Sequence, residues 1–245
     1  MPKGTTMRLP VKIDPCPITE AIIEIRFDTS KPEDAVFALV YNAVQDRYPQ
    51  IEKMPLHGIP EDMRREGSGL AYKPIFRLSS DSHLLQVGPR VVSVIVQEPY
   101  SGWNDFSSEI LRVFTLISGL GIIDSVSRLG IRYSNFFGFD IFSKINLSVA
   151  LNNEPFFSEE TTFKAVIPSD SFRSTLLINN TTTHVKRSEE GSIIDIDTFS
   201  TDVSEEFFER AEKLITEGHQ VEKELFFNLL KPEFLETLNP EWEEG

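Results

Sequence analysis

Asp195 and Asp197 stand one residue apart in Ile194-Asp195-Ile196-Asp197, a run with the two-residue alternation of a strand. On a strand they project from one face about 7 Å apart, and from such a pair a two-carboxylate metal or acid/base site could be built. A phosphoryl-transfer enzyme usually adds further acids or a Gly-rich phosphate cradle, and the sequence has no such loop. The plainer reading, a strand face kept in water by its charges, is favoured. Two arginines join this set. Arg26 lies in Ile25-Arg26-Phe27 and Arg132 in Ile131-Arg132-Tyr133, so two distant stretches end alike. If each is the first strand of one of two like halves, both guanidinium groups face one side of a sheet. There they can pair with Glu20, Glu24, Asp195 or Asp197, and ion pairing is the favoured role over capture of a carboxylate or phosphate. Asn135 could satisfy backbone groups at a strand end or hydrogen-bond a ligand.

The remaining reactive residue types form no nameable set. His57, His83, His184 and His219 are scattered, and none has a histidine or cysteine partner at metal-ligand spacing. There is no Gly-x-Ser-x-Gly elbow. Cys16 is the single cysteine, which excludes an intramolecular disulfide and a paired-cysteine zinc site. It sits between Pro15 and Pro17 with no histidine or basic cluster beside it, so an activated thiol is not expected. No catalytic residue, metal or cofactor is expected.

Charge narrows the partners. The 245 residues carry 38 acids against 24 bases, a net −14 that repels a phosphate backbone unless a basic patch overrides it. Arg64-Arg65 and Lys186-Arg187 are only isolated pairs, so direct nucleic-acid binding is not expected. The N-terminus lacks the apolar core of a signal peptide, and no run of about 18 apolar residues exists to span a membrane. The expectation is a cytoplasmic protein that does not enter membranes and whose partner is another protein; a homo-oligomer is compatible with this. Phenylalanine is abundant, with 19 residues, several in pairs such as Phe136-Phe137, Phe156-Phe157, Phe207-Phe208 and Phe226-Phe227. One ring of each pair can enter a core while the other makes a second contact. Phe226, Phe227, Phe234 and Trp242, set among charges near the C-terminus, are candidate docking anchors.

These residues need a scaffold. Residues 1–17 read as an extended lead-in. A strand is predicted over about Ile18–Asp28. A helix then starts after Thr29 or Ser30 and carries Val36, Val40 and Val44 at three- and four-residue spacing until Pro49. Strands follow near Leu70–Leu78, His83–Val87 and Val91–Gln97. A helix capped by Asn104 or Ser101 runs to Gly119 or Gly121, with Trp103 packed across its start. The second half opens with a strand over Val126–Phe136 and has no clear helix after it. Strands then fall near Thr161–Ile167, Ser171–Ile178, Thr182–Lys186 and Ser192–Phe199, with Asn179-Asn180 read as a turn. A long helix starts at Ser204, with Gly218-His219 as a kink or break. The fold class is α+β: two tandem strand-helix-strands-helix blocks, 18–124 and 125–245. Their helices would lie on one face of a curved antiparallel sheet, TATA-binding-protein-like or helix-grip-like, with a long C-terminal helix.

Pro17-Ile18-x-Glu20-Ala21-x-x-Glu24-Ile25-Arg26-Phe27 and Leu129-Gly130-Ile131-Arg132-Tyr133-x-Asn135, with the later Ile194–Asp197 run and the final helix bearing His219 and Phe226-Phe227, resemble a sporadically distributed, uncharacterised prokaryotic family of about 250 residues. The resemblance spans nearly the whole chain. It implies association with mobile or defence-related genes and carries over no catalytic residue. The expected function is a non-enzymatic protein-binding or adaptor role in a defence or toxin-control system. The alternative is a small-molecule binder or enzyme with Arg26, Arg132, Asp195 and Asp197 in a cleft between sheet and helix.

Overall fold

The computed structural model describes residues 8–67, 69–155, 160–203 and 206–242. In chain order the elements are β1 (Ile18–Asp28), α1 (Glu33–Val44), β2 (Gln50–Lys53), α2 (Glu61–Glu66), β3 (Phe76–Ser79), β4 (Leu84–Gly88), β5 (Val91–Gln97), α3 (Trp103–Ser118) and β6 (Ser125–Phe137). There follow β7 (Ala150–Leu151), β8 (Glu154–Pro155), β9 (Thr162–Ser169), β10 (Phe172–His184), β11 (Glu189–Ser200), α4 (Phe207–Leu229) and α5 (Pro232–Glu236).

Nine strands make one antiparallel sheet in the order β2-β3-β4-β5-β1-β6-β11-β10-β9, and β7 with β8 forms a separate ribbon. The two echoing stretches are the central neighbours, with Ile23 opposite Ile131 and Glu24 opposite Gly130. From that seam the first block's strands run outward on one side and the second block's on the other, so both blocks share one sheet.

Alternation decides what each face carries. Along β1, Ala21, Ile23, Ile25 and Phe27 are wholly buried, while Ile22, Glu24 and Arg26 between them are half-buried. Leu129, Ile131 and Tyr133 of β6 join the buried face. Helices α1, α3 and the first half of α4 cover it with Val36, Val40, Ile110, Val113, Leu214 and Ile215, among others. The second half of α4 and α5 build a second core over the far end of the sheet, against Leu176, Ile178, Ile194 and Ile196. The lead-in closes that end: Ile13 enters the second core, and Val11 and Asp14 donate backbone hydrogen bonds to Glu241 and Leu238.

Several local expectations are corrected. The helix α4 runs unbroken through Gly218-His219. The glycine is there because α4 touches the sheet: a Cβ at 218 would collide with Ile131 and the Phe172 ring. Asn179-Asn180 is not a turn; β10 passes through it with a register irregularity before Thr182. The Asn179 carboxamide oxygen accepts from the Thr181 amide, and that of Asn180 from the Thr161 amide, so side chains hold the bulge. The turn lies later, with Ser188 at φ 51°. Ahead of β3 the chain makes a 3-10 turn at Leu70–Tyr72 and starts the strand only at Phe76, past Pro74, which has no amide to give a ladder. The N-caps are Pro32 for α1 and Gly102 for α3, in place of the expected Thr, Ser or Asn. The Phe156-Phe157 pair and the helix start at Ser204 and Glu205 lie outside the described residues.

Candidate functional site

The face opposite the helices carries a ladder of charges across β1, β6 and β11. Glu24 on β1 accepts from Arg26 Nε at 2.8 Å and from Arg128 of β6 at 3.2 Å. Arg128 also donates to both carboxylate oxygens of Asp197 on β11, at 2.9 and 3.0 Å. Arg132 donates from Nε to both oxygens of Asp195 at 2.9 and 3.0 Å, and Ser134 Oγ donates to the same carboxylate. On the β5 side, Gln97 donates to Glu20 at 3.1 Å. Burial alone would pull Arg132 down, but the hydrogen bonds and charge of Asp195, with Asp197 and Glu20 behind it, hold it above its ordinary value.

The local sequence builds this ladder with diagonal pairs. Arg128 stands directly opposite Arg26, and Arg132 directly opposite Asp197. Like charges face to face would repel, so Arg128 turns back along its own strand to reach Glu24 and Asp197. It does so over Gly130, where a Cβ would collide with the guanidinium, and it lies 4.8 Å above the Phe199 ring. That is why a glycine sits inside a central strand. At one end of the face the tip of the β10–β11 hairpin crosses to β5. His184 and Arg187 meet Glu98 at 3.4 and 2.5 Å, and their side chains cover Phe136.

A scan against models of known protein families finds no match, and a search of curated proteins finds none either. Geometry is therefore what bears on the site.

The structure brings Arg26, Arg132, Asp195 and Asp197 to one face, as their spacing predicts. It does not bring Asn135 there. Asn135 has the opposite parity, is 2% exposed, and spends its amide on the Ile194 carbonyl at 3.3 Å. Three of the four candidate docking aromatics are also corrected. Phe226, Phe227 and Phe234 lie in the second core, each 7% exposed, where burial of such a side chain is worth about 1.5–3 kcal/mol. Only Trp242 stays accessible, at 37%, with the Arg8 guanidinium 6.0 Å from its ring. Arg128 was not among the sequence candidates, although its parity with Arg132 and the intervening glycine were visible signals. Two surface clefts, lined around Lys31, Glu61 and Arg90 and around Arg47, Gln50 and Asp81, include none of the ladder residues. Among the described residues no three His, Cys, Asp or Glu side chains are grouped as a metal site requires, and no helix is long and apolar enough to cross a membrane.

A second polar cluster lies on the helix side, where sequence reading placed none. Tyr133 of β6 and Tyr100, ahead of α3, share a hydrogen bond at 3.2 Å between their hydroxyls. His219 of α4 stacks on Trp103 at 3.8 Å and tilts against Tyr133 at 5.6 Å, with its Nδ1 buried and unpartnered. Glu222, one turn beyond Gly218, is 4% exposed. Burial, with the Asp195 charge acting through the sheet, pushes this carboxyl up to about 8 despite Lys223. Burial, with Lys223, pushes His219 down to about 3. Burial also raises both tyrosines. Around neutral pH this cluster is held uncharged.

Proposed function

We propose that the chain is a non-enzymatic protein-binding or adaptor protein that meets its partner with the open, charge-laddered face of its sheet. The observation that carries this reading is the contrast in cover. Helices occupy one face, while on the other Arg26, Asp197 and Arg132 keep side-chain exposures of 32, 34 and 49% at the centre of the sheet. Charges already paired within the face add little net affinity, but they fix orientation and reject mismatched partners. The net charge of −14 argues for a protein partner over a phosphate backbone.

The block order supports a duplicated, TATA-binding-protein-like or helix-grip-like reading. Arg26 and Arg132 lie two residues beyond the Glu24–Gly130 pair, one on each strand, as a pseudo-twofold through that pair requires. A saddle of that kind would offer a broad binding face. Placement in a prokaryotic defence or toxin-control system rests on the motif resemblance alone.

The test compares wild type with Arg132→Ala, each purified gently from the native host. Loss of a stoichiometric companion, with a melting temperature lowered by no more than about 3 °C, supports the reading. Retention of the companion by both Arg132→Ala and Arg26→Ala contradicts it. The alternative, a small-molecule site between sheet and helix, draws on a different observation. The polar groups lying there are Tyr100, Tyr133, His219 and Glu222, not the ladder.

A further inference from the structure

The β10–β11 hairpin outruns the sheet it belongs to. β11 stays paired with β6 only as far as Ser192 opposite Phe137, and beyond that point β10 and β11 run on together through Thr182–Gly191 and His184–Glu189. This tip crosses one end of the open face to the end of β5, two strands past β6. There Glu98 meets Arg187 at 2.5 Å and His184 Nε2 at 3.4 Å, and Lys186 Nζ donates to the Gln97 side-chain oxygen at 3.2 Å. What lies beneath is Phe136. Its ring has the parity of Arg132 and Ser134, so it belongs to the open face, and it is part of neither core. It is nevertheless only 4% exposed. The His184 ring lies 5.0 Å from it and the Arg187 guanidinium 6.0 Å, while Gly191 borders it at the root of the hairpin.

We infer that the hairpin tip is an electrostatic latch: pairing with Glu98 holds it down over Phe136, and without that pairing it lifts about the Asn179–Thr182 bulge and uncovers the ring. Three observations carry this. The tip brings no apolar anchor, since none of residues 180–190 belongs to a core and Val185, its one large aliphatic side chain, is 85% exposed. Its hold is polar and wet on the cation side, where the Arg187 side chain is 43% exposed, and such pairs are weak and weaken further as salt rises. A bending point is already built in, because the β10–β11 register is interrupted between Asn179 and Thr182. One carboxylate serves two of the three contacts, so losing Glu98 leaves only Lys186 on Gln97. With the tip down the face is charged and polar; with it up the face gains an aromatic ring, a side chain suited to the core of a protein interface. The latch does not rest on the protein-binding reading; only the use of the uncovered ring does.

The test reads access to the ring in the full chain, with no partner present, so it stands or falls apart from the protein-binding reading. Para-fluorophenylalanine is placed at position 136, and its fluorine relaxation by a soluble, neutral gadolinium chelate is measured. In the otherwise wild-type chain the enhancement should rise about two- to fivefold between low salt and about 1 M salt, the population change that loss of an exposed ion pair brings. Glu98→Gln should show the raised value already at low salt, with little further rise. Glu98→Arg should also raise it, and combining Glu98→Arg with Arg187→Glu should bring the low value back. An enhancement that stays low at both salt concentrations and in Glu98→Gln would overturn the latch, because the tip is then held by packing on the ring. A raised value in Glu98→Arg that the charge swap fails to lower would overturn it equally. Should the variants not fold, the salt series on the wild-type chain decides alone.

Discussion

The two faces of the sheet hold polar side chains in opposite ways. On the open face Glu24, Arg26, Arg128, Arg132, Asp195 and Asp197 are charged and each bonded to an opposite charge; Arg26, Arg132 and Asp197 reach water, while Asp195 is buried. Under α4, Glu222, His219, Tyr100 and Tyr133 lie on the helix side and are kept neutral, and the buried His219 Nδ1 has no partner. Where water reaches, pairing is enough and little energy is at stake. Where it does not, the molecule suppresses ionisation, and pH becomes a lever on structure. The faces are also linked, because the Asp195 charge is felt by Glu222 across the sheet.

The largest expected effect breaks the buried side of this contrast. Taking Glu222 from 4.5 to about 8 in the folded state predicts that wild type loses up to about 4 kcal/mol of stability between pH 4 and pH 8 from this group alone. Urea titrations at those two pH values should show the loss in wild type and its absence in Glu222→Gln. Next is Gly218→Ala. The new methyl group meets Ile131 and Phe172 with no room to spare, so a cost of about 1–3 kcal/mol is expected from overpacking, visible as a lower urea midpoint.

The open face should yield smaller changes. Arg128→Ala takes the hydrogen-bonded partner from Asp197 and leaves Glu24 with Arg26 alone, and should cost about 1–2 kcal/mol at low salt and less at 1 M salt. Equal loss at both salt concentrations would mean the residue matters for packing on Phe199 rather than for charge. The smallest effect joins the two faces. Arg132→Ala uncovers Asp195, so the Glu222 midpoint should move upward by a few tenths of a pH unit. An unmoved midpoint in a folded variant would show that the faces are independent.

Much of the scaffold was legible because two-residue alternation is a strong signal on a half-buried sheet. β1 and β5 fall where the sequence places them, and β6 within one residue at each end. The central pairing was hinted at by the repeated isoleucine-arginine-aromatic ending. The misreadings share a cause: residues that punctuate a chain locally were answering tertiary demands. Asn179 and Asn180 hold a bulge, and Gly218 admits the sheet. The rings of Phe226, Phe227 and Phe234 looked like anchors because charged residues surround them in sequence, yet helical spacing turns them inward to a second core. The Glu222 cluster had no sequence signature, since its members come from α4, β6 and the segment ahead of α3, and only packing brings them together.

The most direct test of the central claim is native mass spectrometry of the protein taken gently from its own host. The account predicts a stoichiometric protein companion whose mass disappears with Arg132→Ala and persists with Glu222→Gln. A bare chain, a retained small molecule, or a companion indifferent to Arg132 would contradict it.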